Sequence, residues 1–413
     1  MKRSAIAFVA MAALMAAASC QKEAKTISVT VNVDETKLTE AGIPSPDSYA
    51  VTLTNFATGV SIETATENGV ASAAGLVPGL YNITATAASG QDGFSYTITG
   101  ALNDVNFLND GEEVSVSVDA VKEAALIFKE IYYTGCRFPT DTEEGSSTYF
   151  RDQFYEIYNN STQTVYADGL CIAGTLFATY DFKFRLDWPI ENADDYVFCD
   201  TVWQIPGDGT QYPIAPGESI IIAQWGTNHK ADNLTKGASP VDLSGAEFEA
   251  LEKETIFNGI TLTDNAAINM KQVIDADGYQ MPQWLTPTSG STYVIFKPST
   301  PLKNEDFIVA TNADWANVAR EIPVSDIIDA VQTISDEKRL EILGLPAILD
   351  AGAIWADGTY VGESIARKVK ETREDGTVVY QDTNNTTNDF EVKTTPTVRR
   401  NGAKVPSWNT WIK

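Results

Sequence analysis

A single histidine, His229, stands among 56 Asp and Glu, 29 Lys and Arg and four cysteines in a chain of 413 residues. That inventory restricts the chemistry. Zinc proteases of the H-E-x-x-H type and two-His-one-carboxylate iron centres need two histidines and are excluded. A Ser-His-Asp triad would have to use His229, yet no G-x-S-x-G elbow presents a nucleophile. His229 sits in the polar loop Gly226-Thr-Asn-His-Lys-Ala-Asp-Asn233, where local hydrogen bonding is the simpler role. Neither a phosphate-binding G-x-x-x-x-G-K-[ST] loop nor a dinucleotide fingerprint occurs. Paired carboxylates for glycoside hydrolysis stay open, since their spacing exists only in three dimensions. Asp275-Ala-Asp277-Gly278 has two acids of a calcium loop, but its Gly comes too early and no Glu closes it, so a turn is expected. Neither metal nor cofactor is expected.

Aromatic residues offer a different chemistry. Trp188, Trp203, Trp225, Trp284, Trp315 and Trp355 fall near loop and strand ends. Trp and Tyr anchor many binding surfaces. Trp203, Trp225 and Trp284, with His229, are therefore the candidate binding residues, against the competing reading that they pack under long loops. Trp408 and Trp411 are expected to close the fold as a docking strand. The formal charge of −27 repels phosphate backbones and argues against nucleic-acid partners.

The chain opens with Lys2 and Arg3, an apolar run from Ile6 to Ala18, and Ala17-Ala18-Ser19-Cys20. This order is that of an export signal, and its apolar run is too short to span a bilayer. The small residues before Cys20 resemble the lipobox of bacterial lipoproteins, with Ala17 where Leu is commonest. The resemblance implies removal of residues 1–19, diacylglycerol on Cys20 and a short tether over 20–25. Cleavage after Ala16-Ala17-Ala18, releasing a soluble periplasmic chain, is the alternative. Three thiols then remain, Cys136, Cys171 and Cys199, and an exported compartment permits one bridge among them or none.

Elements that could position these groups are mainly β. Residues 26–121 hold no Trp and alternate with period two at Thr26–Val33, Tyr49–Thr54, Val60–Thr64 and Val114–Val118. Turn pairs recur at Asn68-Gly69, Asp92-Gly93 and Asp110-Gly111, which predicts a β-sandwich. In Gly75-Leu-Val-Pro-Gly-Leu-Tyr-Asn-Ile-Thr84, Tyr81 and Ile83 are expected on one face. This segment resembles the strand entry of carboxypeptidase-regulatory-like and prealbumin-like sandwiches, which implies a stalk domain. Val121-Lys-Glu-Ala124 reads as a linker to a second domain over 126–413. There, Asp168-Gly169, Asp208-Gly209, Asp277-Gly278, Asp357-Gly358 and Asp375-Gly376 punctuate strands such as Ser219–Ala223 and Thr292–Phe296. Ile327, Ile328, Val331 and Ile334 recur at helical spacing and predict a helical insertion near 325–344, and a short helix is expected after Ser244.

Three segments of the second domain resemble lamin-tail immunoglobulin-type sandwiches: Ile127–Ile131 with Gln153–Asn160 and Ala167–Leu170, then Ile214–Ala223, then Gly362–Lys368 with Asp389, Phe390 and Pro396. The expected fold is thus mainly β, with two β-sandwich domains, the second an elaborated lamin-tail-like sandwich. From Trp203–Gly207 through Ile222, Ala223, His229 and Val241–Ser244, residues 126–413 also resemble a bacterial lipoprotein family, DUF family 4876, which carries no catalytic residues over. The expectation is a monomeric, non-enzymatic lipoprotein of the outer membrane, at the cell surface or facing the periplasm. It would bind a ligand or assist an uptake receptor. A hydrolase of glycans or peptides and a structural adhesin are the alternatives.

Overall fold

The strand Ile27–Asp34 follows from its alternation: Ile27, Val29 and Val31 are buried while Ser28 is exposed. The computed structural model that contains it describes residues 25–91, 93–140, 145–175, 186–257, 259–312 and 317–412. Cys20, the proposed signal and all of the tether but Lys25 therefore lie outside the described residues, as do Asp92 and Trp315. The chain forms two compact units. The described part of the first is 25–41, 46–87 and 99–119; the second takes 42–45, 88–98 and the chain from 120 onward.

Ile27–Asp34 lies between Val70–Leu76, antiparallel to it, and Glu112–Ser117, parallel to it. A five-stranded sheet follows the order Ser61–Ala65, Ala50–Asn55, Gly79–Gln91, Phe94–Phe107, Asp119–Ala124. The expected strands are all present, and Tyr81 and Ile83 are both buried. The Tyr81 hydroxyl donates to the Val77 carbonyl at 2.8 Å, pinning the Pro78-Gly79 turn. Asn68 and Gly69 both have positive φ, 52° and 79°, the geometry that a tight hairpin turn requires. Val121–Ala124, expected as a linker, is the end of a sheet strand.

In the second unit two large sheets face each other. One runs Ile268–Asn269, Phe248–Glu249, Ser219–Ala223, Phe154–Asn159, Leu126–Tyr132, Ser364–Arg367, Phe390–Thr394. Of the segments that resemble lamin-tail domains, Ile127–Ile131, most of Gln153–Asn160, Ser219–Ala223 and Ser364–Arg367 lie in its strands, and Ala167–Leu170 does not. The other runs Ile308–Val309, Val318–Pro323, Tyr196–Gln204, Cys171–Thr175, Thr292–Phe296, Ile327–Gln332. Phe128, Tyr155, Ile157, Ile220 and Ile365 from the first pack against Ile172, Trp203, Tyr293, Ile295 and Val331 from the second. Each outer face is covered as well. Val241, Leu243 and Ala246 lie on Tyr132, Phe154 and Ile221, while Leu345 and Ala353 join Cys171, Ala173, Val294 and Phe296.

This double covering corrects two expectations. The segment expected as a helix over 325–344 is the strand Ile327–Gln332 between 3-10 turns at Val324–Asp326 and Glu337–Ile342. All six residues of that strand are buried, so its apolar positions need not alternate, and the helical spacing among them is coincidental. β-branched Ile327, Ile328 and Val331 favour the extended form. The helix expected after Ser244 is likewise a strand, Phe248–Glu249, parallel to Ser219–Ala223. Trp408 and Trp411 do dock, their indole N–H groups donating to the carbonyls of Pro213 and Ala246, but from turn and irregular backbone rather than from the strand expected there. Cys136, Cys171 and Cys199 are buried and free.

Candidate functional site

Asp329 interrupts the apolar run Ile327-Ile328-Asp329-Ala330-Val331 and is buried at one end of its sheet. An unpaired carboxylate there would cost several kcal/mol. Its Oδ2 accepts from the Phe128 amide and from Arg367 Nη2, both at 2.6 Å, and Oδ1 accepts from the Ala330 amide at 2.9 Å. Phe128 and Arg367 belong to the opposite sheet, so this carboxylate ties the two sheets together. Arg367 spends its other donors on the Phe128 carbonyl at 2.7 Å, the Gln381 carbonyl at 3.0 Å and Asp382 at 3.2 Å. Its guanidinium lies 4.6 Å over the Phe390 ring. Asp389, 3.8 Å from Arg367, also accepts from the Thr383 amide and hydroxyl, each at 2.8 Å. Burial raises the Asp329 carboxyl to about 7, against Arg367, which lowers it, and with Asp382, which raises it.

This clamp fixes one wall of a cleft of about 1030 Å³. The hairpin containing Phe94 and Tyr96, Lys122–Ala124, Asn160–Thr162, Ser325, Ile327–Ala330, Lys370, Glu371, Arg373 and Asp382–Asn384 line it. The Asn160 side chain bonds both the amide and the carbonyl of Tyr380, at 2.8 and 3.0 Å. Arg373 donates to the carbonyls of Asn160 and Ser161 at 3.0 and 3.1 Å. Lys122 Nζ lies 3.5 Å from the Phe94 ring centre. Around this framework Glu123, Lys370 and Glu371 are exposed, so the rim carries both signs of charge. Asp329, whose oxygens are all engaged, serves the framework.

The four candidate binding residues are elsewhere, and all are buried. Trp203 lies between the sheets; Trp284 stacks on Tyr155 with centroids 4.8 Å apart. The Trp225 indole donates to the Thr263 carbonyl at 3.0 Å. His229 Nε2 donates to the Trp225 carbonyl at 2.9 Å, leaving Nδ1 to accept from the Tyr149 hydroxyl at 2.9 Å. Burial depresses its pKa to about 4, and it stays neutral at physiological pH. None of the four presents a face to solvent, and they do not converge on the cleft. Asp275 and Asp277 accept from the amides of Gln280 and Tyr279 in a turn. Among the described residues no group of three or more His, Cys, Asp or Glu is placed to hold a metal ion.

One sequence signal did reach the clamp. Gly362–Lys368 with Asp389, Phe390 and Pro396 is the segment whose order resembles a lamin-tail terminus, and its Arg367 is the hub of the clamp. Asp329 carried its own signal, a lone acid in an apolar run.

A crystal structure of a DUF4876 family protein from Bacteroides thetaiotaomicron VPI-5482 is 33% identical to this chain, covering 93% of it and 99% of that chain, with a TM-score of 0.63. The chain belongs to the DUF4876 family. The DUF4876 model, described as "Protein of unknown function (DUF4876)", matches residues 215–397. That span contains Asp329, Arg367 and Asp389 of the clamp and most of the cleft's charged rim. A "putative adhesin" from Bacteroides ovatus ATCC 8483 aligns at 9% identity over 75% of this chain and 88% of that one, with a TM-score of 0.18, too low to bear on fold or function. No curated protein matches the chain.

Proposed function

We propose that this DUF4876 protein is a non-enzymatic lipoprotein of the outer membrane, held by acylated Cys20, whose second unit binds a polar ligand for an uptake receptor. The lipobox-like Ala17-Ala18-Ser19-Cys20 supports the address. The observation that carries the binding role is the cleft, in which a rigid hydrogen-bonded framework presents exposed charges of both signs. Such a rim suits a ligand that carries both signs, as a short peptide does. Pooled tripeptides added to the purified chain should raise its melting temperature saturably. At a hundredfold excess over the dissociation constant the gain is about 2.7 kcal/mol. The double variant Lys370→Glu, Glu371→Lys should lose the shift while melting like the parent without ligand. Absence of any saturable shift would remove the cleft from the account.

A hydrolase is the second reading, favoured by the Asp382 carboxyl in the lining of the same cleft. Cleaved peptides in the same mixtures, abolished by Asp382→Asn, would decide for it.

A further inference from the structure

Large apolar side chains that stay exposed in the first unit gather at one end of it. The register places Ile27 opposite Leu76, and the Gly111 amide donates to the Ser28 carbonyl. The start of the first strand therefore meets the segments around Val77 and Leu108. On the other sheet Asn55 pairs with Tyr81, the Phe56 amide donates to the Leu80 carbonyl, and the Tyr81 and Phe107 rings are 5.9 Å apart. Five side chains at this end are far more exposed than core residues of their type: Phe56 at 66%, Val60 at 62%, Leu108 at 56%, Val77 at 48% and Leu80 at 41%. Among the described residues, the opposite end, at the Asn68-Gly69 turn, has only Val70 of this kind. Scattered exposed apolar residues need no explanation, but five at one end do.

The same end is where the chain enters the fold, since its first strand begins at Ile27. Between Cys20 and Ile27 a fully extended backbone reaches at most about 25 Å. The acids nearest this end are occupied locally. Asp110 accepts from the Ser28 amide at 2.7 Å, and Glu112 accepts from the Asn109 amide and side chain, each at 2.8 Å.

We infer that this end of the first unit, through Phe56, Val60, Val77, Leu80 and Leu108, rests in the lipid surface to which Cys20 is tethered. The inference builds on the anchor in the proposed function. A short tether raises the local concentration of membrane at this end, and apolar side chains then gain by entering the headgroup–acyl boundary.

The test uses the full chain, acylated in cells and reconstituted into phosphatidylethanolamine–phosphatidylglycerol vesicles. An environment-sensitive fluorophore is placed at Phe56→Cys or, as control, at Glu67→Cys, next to the Asn68-Gly69 turn and about 23 Å along the strands. The three internal thiols are buried and should not compete for the label. The Phe56 probe should shift to the blue and lose emission to brominated lipid, and the Glu67 probe should do neither. Phe56→Ser with Leu80→Ser should remove the same quenching from a probe at Leu108→Cys without releasing the protein from vesicles. Vesicle-bound, acylated protein with equal, weak quenching at both sites would overturn this inference alone. A chain that is not acylated and does not join vesicles would overturn the anchor and this inference together. Cross-linking of the Phe56 position to one envelope protein, with no lipid quenching, would assign the face to a protein partner and overturn the lipid assignment.

Discussion

In the first unit the strand Ile27–Asp34 buries one face and leaves Ser28 exposed on the other, whereas all seven residues of Leu126–Tyr132 in the second unit are buried. Both belong to packed β-sheets. The difference lies in what covers the outer face. In the second unit the C-terminal residues cross the outside of one sheet, and the charges that face outward from its strands end up beneath them. Lys129 pairs with Glu156 at 2.9 Å and Glu130 with Arg400 at 2.9 Å, while Arg399 pairs with the buried Glu247. The Thr397 amide donates to Glu130 at 2.8 Å and the Arg399 amide to Glu156 at 3.1 Å. Three acids and three bases thus balance on this face. An outer face of this kind tolerates charge only because each charge has a partner.

The comparison can be broken by removing one partner in each unit. Glu156→Leu leaves Lys129 buried without its counter-charge and should destabilise the second unit by about 3–5 kcal/mol. Denaturant titration followed by Trp fluorescence reads this, because all eight Trp lie from Trp188 onward. Lys37→Ala in the first unit opens an exposed pair with Asp119 and should cost less than about 1 kcal/mol. Similar losses from both variants would mean that the C-terminal covering does not isolate the charges beneath it.

Legibility followed the same division. In the first unit the period-two runs, Asn68-Gly69 and the Tyr81–Ile83 face were all readable, because water on one side forces alternation. In the second, Ile327, Ile328, Val331 and Ile334 mimicked a helix because cover on both sides erases that alternation. The cleft depends on segments as distant as Phe94, Asn160, Ser325 and Lys370, whose meeting no local pattern records. The tryptophans marked the core of the second unit, where Trp203 and Trp284 fill space between its layers.

A smaller effect concerns pH. Burial raises Asp152 to about 6 and Asp200, Glu249 and Asp329 to about 7. From about pH 4 to 7 the folded chain then keeps protons that the unfolded chain has lost, so stability falls as pH rises through that window. His229, depressed to about 4, opposes this: between about pH 4 and 6.5 only the unfolded chain binds its proton, so its contribution grows as pH rises. Four acids outweigh one histidine, and the denaturant midpoint should be higher at pH 5 than at pH 7.5. A higher midpoint at pH 7.5 would mean that hydrogen-bond donors keep these carboxylates ionised in the fold.

In the proposed account, lipid contact by the first unit and ligand presentation by the second both depend on Cys20. Mass spectrometry of the protein extracted from outer membranes reads that residue directly. The account predicts an N-terminal peptide that begins at Cys20 and carries diacylglycerol, and a Cys20→Ala protein found in the aqueous phase of a detergent partition. An unmodified N-terminus recovered from the soluble periplasmic fraction, with partitioning unchanged in Cys20→Ala, would contradict it.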